Sequence, residues 1–392
     1  MVKDIKNEKK IFYWSPCLNN IGTIKSTINS ALSLKKYDKN NEVFIINACG
    51  EWNDHKKLFL ENSIIFLDLN FNYYKFLPKE GYIQSRLSYL LIYVLSFVPL
   101  IKLLKKHKPD IFFIHLITSL PLTILKIFDL KTDFVLRISG YPKFNIFRKI
   151  LWKSISNKIK FITCPTLDLK NKLEQIKIFE NKKLFFLPDA IVRTENLIRD
   201  KNFVINDNIP KNKKIILSAG RLTNQKNHAY LISEFSKFSQ KNDQFILLIL
   251  GDGEKKDELK NLVKREKIEN KVFFIGFKKN IYSYMRSCDV FVMSSLWEEV
   301  GFVIVEAALC DTFVISSDCP NGPREFLNDG KNGILFKSNI KNELLKSFEK
   351  FSDMANKEIY QNKVRLKKEA MKYTIFHHYL GLNKILKILN KK

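Results

Sequence analysis

Residues 294–333, SSLWEEVGFVIVEAALCDTFVISSDCPNGPREFLNDGKNG, carry the pattern from which the rest of the chain reads outward. An apolar, strand-like run at 289–293 precedes them, and Glu298 and Glu306 stand eight positions apart with Gly301 between. From Phe302 and Val303 to Cys310 the residues suit a short helix; a second buried-strand run follows at 312–315, then a polar loop with Asp318, Gly322, Arg324 and Glu325. Strand, loop, helix and strand in that order point to an α/β domain. A loop that becomes a helix at Gly301 presents backbone N–H groups that no intrahelical carbonyl takes, which makes an anion site. Glu306 then lies about one and a half turns along the helix, with Glu298 in the loop on the other side of the anion. Two carboxylates flanking a phosphate-sized hole suit a diphosphate with hydroxyl-bearing sugars on both sides. The plainer alternative makes Glu306 a helix-surface acid and Glu298 an ordinary loop acid.

The segments upstream repeat the strand-to-helix pattern. A strand at 215–219 runs into GRLTNQKN at 220–227 and then a helix to about residue 238. Arg221 grips a diphosphate with a planar fork and Lys226 adds a point charge, so the loop is chemically apt for that ligand. The strand FILLIL at 245–250 leads into Gly251-Asp252-Gly253, and a further strand occupies 272–276.

Taken together, the carboxylate pair, the SSDCPNGPREFL and GKNGILF segments and the GRL…QKN loop resemble family 4 retaining glycosyltransferases of the GT-B class. The likeness is nearest to members that extend bacterial surface polysaccharides or lipid-linked oligosaccharides. It implies two doubly wound, Rossmann-like α/β domains facing across a cleft. By the same resemblance Glu298 contacts the hydroxyls of the donor sugar, Glu306 holds the nucleotide ribose, and Arg221 and Lys226 neutralise the leaving nucleoside diphosphate. Gly251, Gly301, Phe302 and Val303 fall at donor-binding positions. Glu299 stands where those enzymes usually have glycine after the first Glu.

The first half carries the skeleton of the pattern. The strand KIFYWS at 10–15 leads through Asn20-Ile21-Gly22 into a helix-like pattern at 24–34, the opening of a nucleotide-binding βα unit. The family usually has two adjacent glycines here, so the resemblance transfers Gly22 alone. Strands at 43–47, 64–69, 111–115, 134–138, 161–164 and 184–187 fit a parallel sheet. His115 ends one of them, where open α/β sheets face their ligands; the alternative is a hydrogen-bonded structural histidine. Relatives place a His after the strand at 134–138, and this chain has Ser139-Gly140-Tyr141-Pro142, leaving that role to Arg137, Ser139 or a backbone atom; the alternative for Arg137 is a plain pairing with an acid.

Three segments bear on surfaces and boundaries. Residues 86–106, RLSYLLIYVLSFVPLIKLLKK, form the most apolar helical stretch; its uncharged part is too short for a bilayer and Pro99 interrupts it. A buried core helix is the leading reading, with an interfacial helix on anionic lipid second. Residues 145–160 read as a basic, aromatic helix suited to a headgroup interface or an ordinary surface. The polar run at 199–213 reads as a linker, giving an acceptor-binding domain at 1–198, a nucleotide-sugar domain at 199–374 and a terminal helix at 375–392 that returns to the first domain.

Composition narrows the classes. The chain has 392 residues, 45% of them hydrophobic, which is too apolar for disorder and enough for two domains. Six scattered cysteines without a C-x-x-C pair argue against a zinc site or a disulfide framework and for a reducing compartment. No apolar signal core follows the N-terminus, so the reading is cytoplasmic, with peripheral contact at the inner membrane face. The net charge of +27 attracts polyanions, but no nucleic-acid signature accompanies it. With no Asp-x-Asp site in a suitable loop, the expectation is a metal-independent transferase without cofactor. It would move a hexose or N-acetylhexosamine from a UDP- or GDP-sugar to a glycan acceptor, in particular a lipid-diphosphate-linked one. The alternatives are a non-catalytic polyanion- or membrane-binding scaffold and a nucleotide-sugar epimerase of the same fold.

Overall fold

The computed structural model describes residues 8–18, 22–69, 72–78, 82–142, 144–200, 205, 209–210 and 212–390. The chain divides into two units, one of Met1–Ala190 with Ile375–Lys392 and one of Ile191–Thr374. Most of the expected linker at 199–213, like Asn20 and Ile21, lies outside the described residues.

The first unit holds strands β1 (Lys10–Trp14), β2 (Glu42–Asn47), β3 (Ile65–Asp68), β4 (Ile111–Ile114), β5 (Asp133–Arg137), β6 (Ile159–Cys164) and β7 (Leu184–Phe186). They form one sheet in the order β3-β2-β1-β4-β5-β6-β7, every pair parallel. Its strands are short and almost wholly apolar because a parallel sheet is covered on both faces. In β1, Phe12 and Trp14 enter one core cluster while Ile11 and Tyr13 enter another, as a period of two requires. Helix Ile375–Asn390 belongs to this unit and packs on helix Gly22–Tyr37: the Tyr37 ring lies 5.1 Å from Phe376 and 5.4 Å from Tyr379.

The second unit holds β8 (Lys214–Ala219), β9 (Phe245–Leu250), β10 (Val272–Gly276), β11 (Val290–Met293), β12 (Phe313–Ser317) and β13 (Ile334–Phe336). Its sheet runs β10-β9-β8-β11-β12-β13, again parallel throughout. β9 is buried at all six positions, with Ile246, Leu248 and Leu250 in one cluster and Phe245, Leu247 and Ile249 in the other. Each unit is thus a doubly wound, Rossmann-like α/β layer structure, and each sheet reverses its strand order once, between β1 and β4 and between β8 and β11. Such a reversal opens a crevice at the carboxyl ends of the two strands, where α/β sheets bind ligands.

Two sequence expectations are corrected. Residues 86–106 are not a buried core helix. The helix runs Tyr82–His107 with Pro99 inside it, and only 28% of its most apolar 18-residue window is buried, although by length and composition it could cross a membrane. Ile83, Leu87, Leu90, Val94 and Val98 form an exposed stripe on one face, while Ser88, Ile92, Ser96 and Leu100 on the opposite face are fully buried. The helix expected at 145–160 stops at Ile155, because Ser156 to Lys158 turn and Ile159 enters the sheet against Phe134. All six cysteines are buried and free.

Two predictions concern stability. Arg137, at the end of β5, makes a bidentate pair with Asp189, Nε to Oδ1 at 2.9 Å and Nη2 to Oδ2, both residues buried. Removing one partner strands the other charge, so Asp189→Ala should cost about 3–5 kcal/mol in urea unfolding. A cost below 1 kcal/mol would show that the pair does not hold this layer. Burial also holds His115, His228 and His378 below the ordinary histidine value, with His228 brought down to about 4 by burial and then by Lys226. Between pH 6.5 and 4 the unfolded chain therefore binds a proton at residue 228 that the folded chain refuses, so stability falls with pH. His228 alone should make the protein roughly 2 kcal/mol less stable at pH 5 than at pH 7, and His228→Gln should flatten that slope.

Candidate active site

In the second unit the residues singled out by the sequence gather at the strand reversal. β8 ends at Ala219, and residues 220–227 leave it as a loop containing the short 3-10 turn Asn224–Lys226. β11 ends at Met293, and residues 294–301 leave it beside that loop. The two loops are sewn together by backbone and side chain. Ser294 Oγ donates to the carbonyls of Lys226 and Asn227 at 2.9 and 3.2 Å, Leu296 N donates to Gln225 O at 2.8 Å, and Gln225 Nε2 donates to Trp297 O at 2.9 Å.

Within this frame Lys226 Nζ donates to Glu298 Oε1, with side chains only 17% and 11% exposed. Ser295 Oγ donates to the same carboxylate oxygen at 2.7 Å. Both contacts fall on Oε1, so Oε2 carries neither. The Glu298 carbonyl accepts from Asn321 Nδ2 at 3.1 Å, and the Glu299 carbonyl accepts from Gly322 N at 2.9 Å. Glu299, which replaces the usual glycine, is thus in a loop clamped from the far side by the start of helix Gly322–Phe326. Arg221 stands exposed in the β8 loop with no ion-pair partner among the described residues.

Gly301 starts helix Phe302–Leu309 from a φ of +76°, a region that side-chain-bearing residues avoid. No side chain caps this helix and no acid lies in its first turn, so the N–H groups of Phe302 and Val303 head an end that favours an anion. Glu306 lies further along the same helix, 5% exposed, and accepts a 3.4 Å hydrogen bond from Tyr282 Oη. Burial, and then the Glu306 charge, push the Tyr282 phenol well up, so Tyr282 stays a donor. Glu306 is therefore not a surface acid. Gly251 follows β9 at φ +135°, and a Cβ there would lie 1.9 Å from Gly220 O. Only glycine lets that backbone pass behind the Arg221 loop.

The remaining named residues are in the first unit. Gly22 is exposed at the start of helix Gly22–Tyr37. His115, just past β4 at the reversal with β1, is 5% exposed. Its Nδ1 lies 2.9 Å from Thr27 Oγ1, and that hydroxyl donates to Thr23 O at 2.8 Å. The Thr27 oxygen is therefore left to accept from Nδ1–H, which makes Nε2 the unprotonated ring nitrogen. Burial first, then Arg137 and His378, keep the ring neutral. Arg137 and Ser139, alternatives for the missing histidine, share with His115 the wall of a cavity of about 640 Å³. Arg137 is already engaged by Asp189.

Sequence reasoning missed Ser294, Ser295, Gln225, Tyr282 and Asn321. The two serines had a readable signal, a Ser-Ser pair directly after a buried strand at a sheet reversal. Tyr282, on helix Ile281–Ser287, and Asn321, just before helix Gly322–Phe326, owe their places to packing that no local pattern announces.

Comparison with known proteins follows the same division. Residues 200–372 match the family model described as glycosyl transferases group 1. Among curated proteins, 247 residues are 30% identical to an uncharacterized glycosyltransferase of Methanocaldococcus jannaschii, covering 58% of this chain and 60% of that one. Over 180 residues, 43% of this chain and 48% of that one, the sequence is 33% identical to the N-acetylgalactosamine-N,N'-diacetylbacillosaminyl-diphospho-undecaprenol 4-alpha-N-acetylgalactosaminyltransferase of Campylobacter jejuni. The chain spans about half the length of the curated relatives it matches. Among solved structures, a glycosyltransferase from Rickettsia africae superposes with a TM-score of 0.76 at 19% identity over 98% of both chains. Anabaena HepE, in complex with UDP and glucose, gives 0.69 at 16% identity over 97% of this chain and 100% of that one. At such identities the likeness is one of fold. Residues 200–372 are thus similar to a glycosyl transferases group 1 domain, and the two α/β units share the fold of the GT-B glycosyltransferase structures.

Proposed function

We propose that the protein is a retaining glycosyltransferase that takes a hexose or N-acetylhexosamine from a nucleotide-sugar, UDP-linked in the first instance, to a glycan acceptor. The observation that carries this reading is the Lys226–Glu298–Ser295 cluster at the β8/β11 reversal, beside Arg221 and the uncapped helix after Gly301. The donor would lie on the second unit. Arg221, Lys226 and the N–H groups of Phe302 and Val303 take the diphosphate, Glu306 the ribose, and Glu298 the sugar hydroxyls through Oε2. Gly251 and Gly22 leave room for close backbone approach.

In the reaction the bond from C1 of the sugar to the diphosphate oxygen breaks, and its electron pair leaves on the nucleoside diphosphate. The acceptor oxygen bonds to C1 on the same face, and its proton passes to the departing phosphate oxygen. Arg221 and Lys226 stabilise the growing negative charge with preset cations, which need no reorganisation at the moment of transfer. Glu298 holds Lys226 in place before the donor arrives and yields part of that bond to the diphosphate. In the first unit, neutral His115 offers Nε2 to a hydroxyl of the acceptor or of the transferred sugar. A UDP donor is supported by the UDP and glucose held in the Anabaena structure, and a lipid-linked acceptor by the diphospho-undecaprenol in the name of the Campylobacter relative. Peripheral contact with an anionic membrane surface is supported by the exposed apolar stripe of helix Tyr82–His107, which ends in Lys105, Lys106 and His107.

A thermal-shift screen against UDP-, GDP- and TDP-sugars, with and without EDTA, tests the donor reading. One nucleotide class at a hundredfold excess over its Kd should stabilise the fold by about 2.7 kcal/mol. The shift should survive EDTA, and Lys226→Ala should lower turnover roughly 10²–10³-fold. If Lys226→Ala and Glu306→Gln both leave donor turnover unchanged, the assignment fails. If no nucleotide shifts the melting temperature while anionic vesicles bind tightly, the scaffold alternative takes its place.

A further inference from the structure

Asn321 holds the loop that carries Glu298, and it does so from a backbone conformation that asparagine enters only at a cost. Its φ of +77° and ψ of −119° are those of the first central position of a type II′ turn, where glycine is the residue without penalty. The chain does use glycine where the backbone needs room: a Cβ on the next residue, Gly322, would lie 2.5 Å from Val300 Cα. At 321 it keeps a side chain, and the Nδ2 of that side chain donates to Glu298 O at 3.1 Å. A residue in such a conformation persists where surrounding bonds over-determine it, and such residues cluster at ligand sites.

The bond acts on the carboxylate through the backbone. The peptide unit is planar, so fixing the Glu298 carbonyl fixes the whole 298–299 unit and the ψ of Glu298 with it. Gly322 N adds a bond to Glu299 O at 2.9 Å, and Ser317 Oγ, at the end of β12, adds one to Ser295 O at 2.6 Å. Segment 317–322 thus reaches Glu298 by two routes, at its carbonyl through Asn321 and at its carboxylate through Ser295. Lys226 and Ser295 both engage Oε1, so the backbone at 298–299 decides where Oε2 points. We propose that Asn321 is a positioning residue for Glu298: its amide aims Oε2 at the sugar of the nucleotide-sugar, and so governs the sugar end of the donor and not its nucleotide end. The inference deepens the proposed function and rests on it for the sugar contact of Glu298.

Two variants separate positioning from folding. Asn321→Gly keeps the backbone conformation and removes the amide; relief of strain offsets the freedom that glycine adds to the unfolded chain, so the melting temperature should stay near that of the unsubstituted protein. Asn321→Asp keeps the shape and turns the donor into an acceptor against the Glu298 carbonyl. In hydrogen–deuterium exchange of the full chain without ligand, both should speed exchange of a peptide covering 294–301 about threefold or more and leave β9 unchanged. Calorimetric titration then compares UDP with UDP-glucose, UDP-galactose and their N-acetylated counterparts. The sugar that the unsubstituted protein holds more tightly than UDP should weaken about tenfold in both variants, while UDP itself changes by less than about twofold. Added to Glu298→Gln, Asn321→Gly should weaken that sugar no further, because its effect runs through Glu298.

Unchanged exchange at 294–301, equal weakening of UDP and of the UDP-sugar, or additive effects in the double variant would each overturn the proposal. If no UDP-sugar binds the unsubstituted protein more tightly than UDP, the sugar contact of Glu298 fails and takes this role with it. Faster exchange in both variants would then mark that result as failure of the contact and not of the clamp.

Discussion

Strand β8 pairs with β9 on one side and β11 on the other, and this reversal of strand order is what the candidate site depends on. It sets a loop at 220–227 beside a loop at 294–301 that lies some seventy positions later. Neither loop is regular, and each takes its shape from the other. Leu296 borrows a carbonyl from Gln225, Ser294 borrows two from the end of the first loop, and Lys226 finds its counter-ion in Glu298. The ion pair is mostly out of solvent, so its attraction is little screened and its geometry is held. Lys226 is thereby kept in position at the end of the loop that begins with Gly220 and Arg221. The first unit repeats the device on a smaller scale, where the β1/β4 reversal brings Thr27 against His115.

The two sites are physically unlike. The one in the second unit is built from backbone N–H groups, two cations and two carboxylates, so charge and direction select its ligand. The cavity in the first unit combines one buried guanidinium with aromatic and aliphatic lips.

Much of this was readable in the sequence, for a definite reason. Parallel strands covered on both faces appear as unbroken apolar runs, so FILLIL and VFVM mark their strands without help. Glycines at 251 and 301 and the paired glutamates mark loops that must bend or bind. What the sequence could not show is which surface covers which. Residues 86–106 have the hydropathy of a core helix, and only the fold reveals that one face has no partner. Arg137 could be read from the sequence as available to the sugar or as paired to an acid, and only the fold supplies the acid, Asp189, 52 positions away. Tyr282, which bonds Glu306, leaves no local trace because its role comes from tertiary packing.

The most direct test of the central claim is hydrogen–deuterium exchange of the full chain with and without UDP. The account predicts slowed exchange in two separate peptides of the second unit, those covering 218–227 and 294–306, since both line the β8/β11 reversal and both offer N–H groups to the diphosphate. Protection confined to 89–152 in the first unit, or none at all at saturating UDP, would contradict it.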